Sequence, residues 1–133
     1  MLPIDSERLD LVQQFHASPF GPHSADLLDV LKILRWAPVD DRYIIAQPEP
    51  NGAYVIVKQT GLRDTPLYAV TGETWDDLPA AQCAVFRKRW EASTGLRLTL
   101  RADGSWGTGA RVADAPDELE PLARIEKPLL AYP

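Results

Sequence analysis

The sequence predicts an α+β fold: two N-terminal helices, a small antiparallel β-meander, a third helix and an irregular C-terminal arm. Three observations carry this. Apolar residues recur at helical spacing up to Trp36, then run in short β-branched and aromatic stretches between Tyr43 and Val70, and return to helical spacing after Asp77. A chain of 133 residues buries enough surface for a single core. We therefore place one compact domain at residues 1–102 and a Gly- and Pro-interrupted arm at residues 103–133.

In the first helix, Leu9, Val12 and His16 fall on one face with Leu11 and Phe15 alongside. Asp5 or Ser6 is the expected N-cap, and Pro19 lies beyond the end. Ser24 is the expected cap of the second helix, with Asp26 in the first turn, where the helix dipole favours a negative charge, and Pro38 as the stop. Between them stands HASPFGPHS, residues 16–24, which holds both histidines. Pro19 and Pro22 stiffen this segment and Gly21 permits a tight backbone, so it reads as a rigid helix-to-helix corner with Phe20 packed inward.

The period then changes to two. Tyr43–Ala46 and Ala53–Lys58, parted by a loop with Pro48, Pro50 and Asn51–Gly52, predict a hairpin. Leu67–Val70 supplies a third strand. Asp77 caps a third helix whose first turn holds Pro79 and whose stop is Gly95, with Cys83, Phe86 and Trp90 on its apolar face. Leu96–Ala102 reads as one more strand. Beyond it the arm has no sustained period, yet Trp106, Leu119, Leu122, Ile125, Leu129, Leu130 and Tyr132 are too many apolar groups for a free tail, so it is expected to dock on this chain or on a partner.

Charge and composition exclude several classes of function. Fourteen basic against nineteen acidic side chains leave a net charge of -5, which opposes general attraction to nucleic acid or to an anionic membrane. No apolar run is long enough to span a bilayer and no secretory leader is visible, so a cytoplasmic protein is expected. The single cysteine, Cys83, fits a reducing compartment and removes internal disulfides and Cys-based metal clips.

The candidate chemistry is thin. His16 and His23 would need a third ligand, and their spacing across a Pro-containing turn matches no metal-site pattern. Cys83 sits among Ala81, Ala84 and Val85, the surroundings of a buried thiol. Gly104, Gly107 and Gly109 stand in the wrong order for a phosphate-binding loop, and Glu73, Asp76 and Asp77 read as helix capping. One basic region, Arg87, Lys88, Arg89, Arg97 and Arg101 with Trp90 between, leaves an alternative open: a stand-alone interaction or nucleic-acid-binding domain. Helical geometry spreads the first three around the axis, and Arg pairing with partner carboxylates suits the acidic balance better.

Taken together, several short motifs resemble the small subunit of N,N-dimethylformamidase and its relatives. They are His16-x-x-Pro19-Phe20-Gly21-x-His23-Ser24, then Leu27, Arg35, Pro38, Arg42-Tyr43-x-Ile45, Tyr54-x-Ile56, Gly61-x-Arg63-x-x-Pro66, Trp75 and Ala84-Val85-Phe86-Arg87-x-Arg89-Trp90. The resemblance implies a hetero-oligomer in which a much larger chain carries a mononuclear iron, held by tyrosines and a glutamate, and hydrolyses dimethylformamide to dimethylamine and formate. It implies no catalytic residue, cofactor or metal in the small chain, whose task is to bind and stabilise the large one. Residues expected at such an interface are His23, Trp36, Trp75, Arg87, Arg89, Trp90 and Trp106, because aromatic and Arg side chains dominate interface energetics.

Overall fold

A computed structural model describes residues 4–35, 43–47, 52–58, 68–70, 74–114 and 119–121. Two helices, α1 (Leu9–Ala17) and α2 (Ala25–Arg35), precede three strands, β1 (Tyr43–Ala46), β2 (Val55–Lys58) and β3 (Tyr68–Val70). Helix α3 (Leu78–Thr94) follows, then β4 (Leu96–Leu100), β5 (Trp106–Arg111), a 3-10 turn (Val112–Asp114) and β6 (Leu119–Pro121). This is the α+β class that the periodicity predicts.

The expected caps of α2 and α3 are in place. Ser24 Oγ accepts the Leu27 N–H at 3.2 Å, and Asp77 Oδ1 accepts the Ala80 N–H at 2.8 Å, each satisfying an amide that the first helical turn leaves open. Pro79 occupies the first turn of α3, and Gly95 ends the helix at φ 77°, a left-handed conformation that glycine adopts without Cβ strain. Helix α1 starts later than the sequence suggests. Asp5 closes a turn instead of capping, its Oδ1 accepting the Glu7 N–H at 2.9 Å and its carbonyl the Arg8 N–H at 3.1 Å, and Leu9 is the first helical residue. A short acidic side chain that bonds its own neighbouring amides competes with the helix in this way.

Strands β1, β2, β3 and β6 form one antiparallel sheet in that spatial order, with Ile45 opposite Ile56 and Ile44 opposite Val57. Both faces of β1 are buried, which explains why YIIA shows no polar alternation. Residues 48–51, including Pro48, Pro50 and Asn51 of the expected hairpin loop, lie outside the described residues, as do Trp36 and Pro38. Tyr54 and Trp75 exchange backbone hydrogen bonds of 2.7 and 3.0 Å, tying the entry of β2 to the approach to α3.

Within the arm, where the sequence predicts no strand, the described residues contain two. Trp106–Arg111 pairs with β4 across the position where we place the domain boundary, and Leu119–Pro121 adds β6 to the sheet beside β3. Gly107 and Gly109 hid β5 because they are poor strand formers, but here a Cβ at Gly109 would stand 2.8 Å from Thr99 Cγ2, so the absence of a side chain is what lets the two strands approach. Gly104 lies in the connecting turn at φ 87°.

Helix α3 is the centre of the molecule. Ala81, Ala84 and Val85 pack on Tyr43, Ile45 and Ile56 of the sheet. Phe86 and Trp90 pack on Val12 and Phe15 of α1 and on Leu27, Val30 and Leu34 of α2. Each large apolar side chain so buried contributes about 1.5–3 kcal/mol. Leu98 and Trp106 of the β4–β5 ribbon close the second cluster.

Candidate functional site

The corner between α1 and α2 is tight, as the sequence predicts. Ser18 Oγ donates to the Gly21 carbonyl at 2.6 Å, the Gly21 N–H donates to the Ser18 carbonyl at 3.1 Å, and Gly21 adopts φ 95°. The Gly21–Pro22 peptide is cis. One detail is reversed: Phe20 does not pack inward but is 60% exposed. Replacing Gly21 by Val should cost about 1–3 kcal/mol of backbone strain, since a β-branched residue rarely adopts positive φ. His23→Gln should cost less, and chemical denaturation that ranked the two in the opposite order would remove the structural role assigned to this corner.

An aromatic stack grows from the corner into the core. The His23 ring stacks on Phe15 at 5.8 Å, and Phe15 on Phe86 at 4.2 Å with an interplanar angle of 9°. His23 is half-buried, and its Nδ1 has no hydrogen-bond partner among the described residues. Beside the stack lies an apolar cleft of about 250 Å³, lined by Phe15, Pro19, Phe20 and His23 of the corner, Leu31 and Leu34 of α2, and Gln82, Val85, Phe86 and Arg89 of α3.

His16 faces a different set. Its Nδ1 donates to the Val12 carbonyl at 2.8 Å, which leaves Nε2 as the acceptor of a 2.8 Å hydrogen bond from Arg87 NH1. The Trp106 ring lies 4.7 Å from the His16 ring and 5.4 Å from Arg87 Cζ, so it touches both. Burial pushes the His16 imidazole below its ordinary pKa, the Val12 carbonyl opposes this, and the neighbouring Arg87 cation lowers it further.

A pH dependence follows. Because the folded value is depressed, the unfolded chain takes up the proton first as pH falls. The stabilising contribution is present above the unfolded value of about 6.5 and is lost as pH falls through the lower folded value. Denaturation midpoints should therefore drop between about pH 7.5 and about pH 5 in the native chain, and by less in His16→Gln. Equal drops in both proteins would contradict the assignment.

The remaining sequence candidates scatter. Trp90 is 1% exposed and fills the core, so as an interface anchor it is corrected: α3 turns it inward against the helices. Trp75 is half-buried against the cluster of Tyr43, Ile45, Ile56, Ala81, Ala84 and Val85, and Trp36 lies outside the described residues. Arg89 donates from Nε and NH2 to the Tyr43 carbonyl at 3.0 and 2.8 Å, joining α3 to β1. Arg97 and Lys88 stand 3.0 and 4.0 Å from Glu91, and Arg101 is exposed on the ribbon. Arg87, Arg89, Lys88 and Arg97 are thus engaged within the chain, the last two at the same carboxylate, which weighs against the basic region as a nucleic-acid surface.

Cys83 is half-buried, and burial pushes its thiol up, with Arg87 opposing and Asp77 adding to the rise. A thiol so held is a poor nucleophile at neutral pH. Among the described residues no group of three or more His, Cys, Asp or Glu side chains is placed to hold a metal ion, and no helix is long and apolar enough to cross a membrane. What sequence reasoning missed is the joining of His16, Arg87 and Trp106. The first two stood in the quoted motifs, but no local signal placed β5 beside α1.

These features define a small α+β protein whose distinctive groups, an aromatic and basic cluster and an apolar cleft, gather where α1, the corner and α3 meet. The chain belongs to the family described as N,N-dimethylformamidase alpha subunit, which it matches over residues 6–98. That match takes in the corner, the cleft, His16 and Arg87, and begins ten residues ahead of His16, the first residue of the quoted motifs. No curated protein and no solved structure matches the chain.

Proposed function

We propose that the chain is a non-catalytic small subunit that binds and stabilises the large, iron-dependent catalytic subunit of a dimethylformamidase-like amide hydrolase. Membership in a family described as an alpha subunit carries this reading, since a subunit so named belongs to an assembly with another kind of chain. The site chemistry agrees with it. His16 has both ring nitrogens engaged, by Val12 and Arg87, and the Cys83 thiol is held protonated by burial. Among the described residues no group of three or more His, Cys, Asp or Glu side chains could hold a metal ion, and the resemblance assigns the iron to the companion chain. The half-buried single cysteine supports a reducing compartment, the cytoplasm.

The test is to purify the chain alone, the large chain alone and the two together, and to measure hydrolysis of dimethylformamide and related short amides. Turnover is expected only where the large chain is present, with a higher melting temperature for the large chain when both are present. Hydrolysis by the small chain alone would overturn the proposal, as would a failure of the two to associate.

A further inference from the structure

Resting on the proposal that this chain docks on a companion subunit, we infer that Arg87 is a pre-formed receptor for one Asp or Glu side chain of that subunit. Arg87 is half-buried on α3 and offers five N–H donors, of which NH1 is engaged by His16 Nε2 at 2.8 Å. The His16 tautomer is fixed by its bond to the Val12 carbonyl, and Trp106 lies 5.4 Å from Cζ. The guanidinium is thus held in one orientation by an imidazole and an indole before any partner arrives.

Among the described residues no carboxylate pairs with it. Arg8, Lys88, Arg97 and Arg111 each lie within 4.0 Å of one. Shortage of acid is not the reason, since nineteen acidic residues outnumber fourteen basic ones. A partly desolvated cation whose nearest acceptor is a neutral imidazole is under-compensated, and a planar fork of free N–H groups matches a carboxylate bidentately.

The neighbourhood favours a protein carboxylate over a small free acid. Phe86 packs against the His16 ring at 6.5 Å and also lines the apolar cleft, whose rim carries the 60% exposed Phe20. A surface laid over both would have an apolar centre with a charge pair at its edge, the usual anatomy of a specific interface.

The experiment measures the dissociation constant of the small chain for the co-expressed large subunit at two salt concentrations, with the fold of each variant checked by circular dichroism. Arg87→Gln should weaken association at least about thirtyfold, as truncating one member of a hydrogen-bonded charge pair does, and should flatten the salt dependence. Arg87→Lys keeps the charge without the fork and should weaken it about tenfold. Arg111→Gln, exposed and paired with Asp114, should bind like the native chain. Native affinity in Arg87→Gln overturns the inference; if that variant does not fold, native affinity in Arg87→Lys does so. These results leave the subunit proposal standing, whereas a native chain that fails to bind the large subunit sinks both.

Discussion

Trp90→Ala is expected to lower the unfolding free energy by about 3–5 kcal/mol, a large share of the 5–15 kcal/mol that holds a domain folded. The indole is 1% exposed and packs with Phe86 at 6.0 Å between α3 and the N-terminal helices. Removing it loses the transfer energy of the ring and leaves a cavity bordered by helices that relax only in part. Urea denaturation followed by circular dichroism measures the effect. A loss under about 1 kcal/mol would mean that Trp90 is not in the core. Because the residue also belongs to the motif shared with the family, a variant at this position would lose partner binding too, but through unfolding rather than a lost contact. Any scan of the interface therefore needs a stability measurement beside it.

Glu91→Ala should produce the second large effect, about 3–5 kcal/mol, the range for removing one member of a buried ion pair. Glu91 is buried at the C-terminal end of α3, where Oε2 accepts the Leu98 N–H at 2.8 Å and Oε1 accepts Arg97 NH1 at 3.0 Å. Strand β4 has a register irregularity between Leu96 and Leu98, and the carboxylate takes the amide at that point. Truncation takes the acceptor from the part-buried Leu98 N–H and removes the Glu91 carboxylate from the Arg97 guanidinium. Amide exchange at Leu98 should accelerate along with the loss of stability. Glu91→Gln, which keeps an acceptor for the amide, should fall between the two, and unchanged stability in Glu91→Ala would show that the ribbon is not held by this group.

The same two residues show what sequence can and cannot disclose. Glu91 on the surface of an Arg-rich helical segment looks like an ordinary solvated charge; only the return of β4 against the helix end buries it. Trp90 beside Arg87 and Arg89 looks like an interface residue; only the placement of α1 and α2 shows that α3 has its crowded side there. The caps at Ser24 and Asp77, Pro79 and the Gly95 stop were legible because each acts within a few residues of itself. The start of α1 was misread since Asp5 bonds the amides nearest to it, a choice that composition does not reveal. Strand β5 is hidden because its glycines carry no strand preference and fit only against Thr99 of the facing strand and Arg101 just beyond it.

By itself the sequence determined the class of fold, the order of the helices and of the first strands, the rigid corner at Pro19–Pro22, and the family. All of these follow from periods, caps and short motifs, which are local along the chain. The tertiary structure alone decided which of the tryptophans and arginines face inward, and that His16, Arg87 and Trp106 meet. Those contacts join three distant parts of the chain, and their geometry is set by how α3 is packed on both sides, which no spacing within one segment encodes.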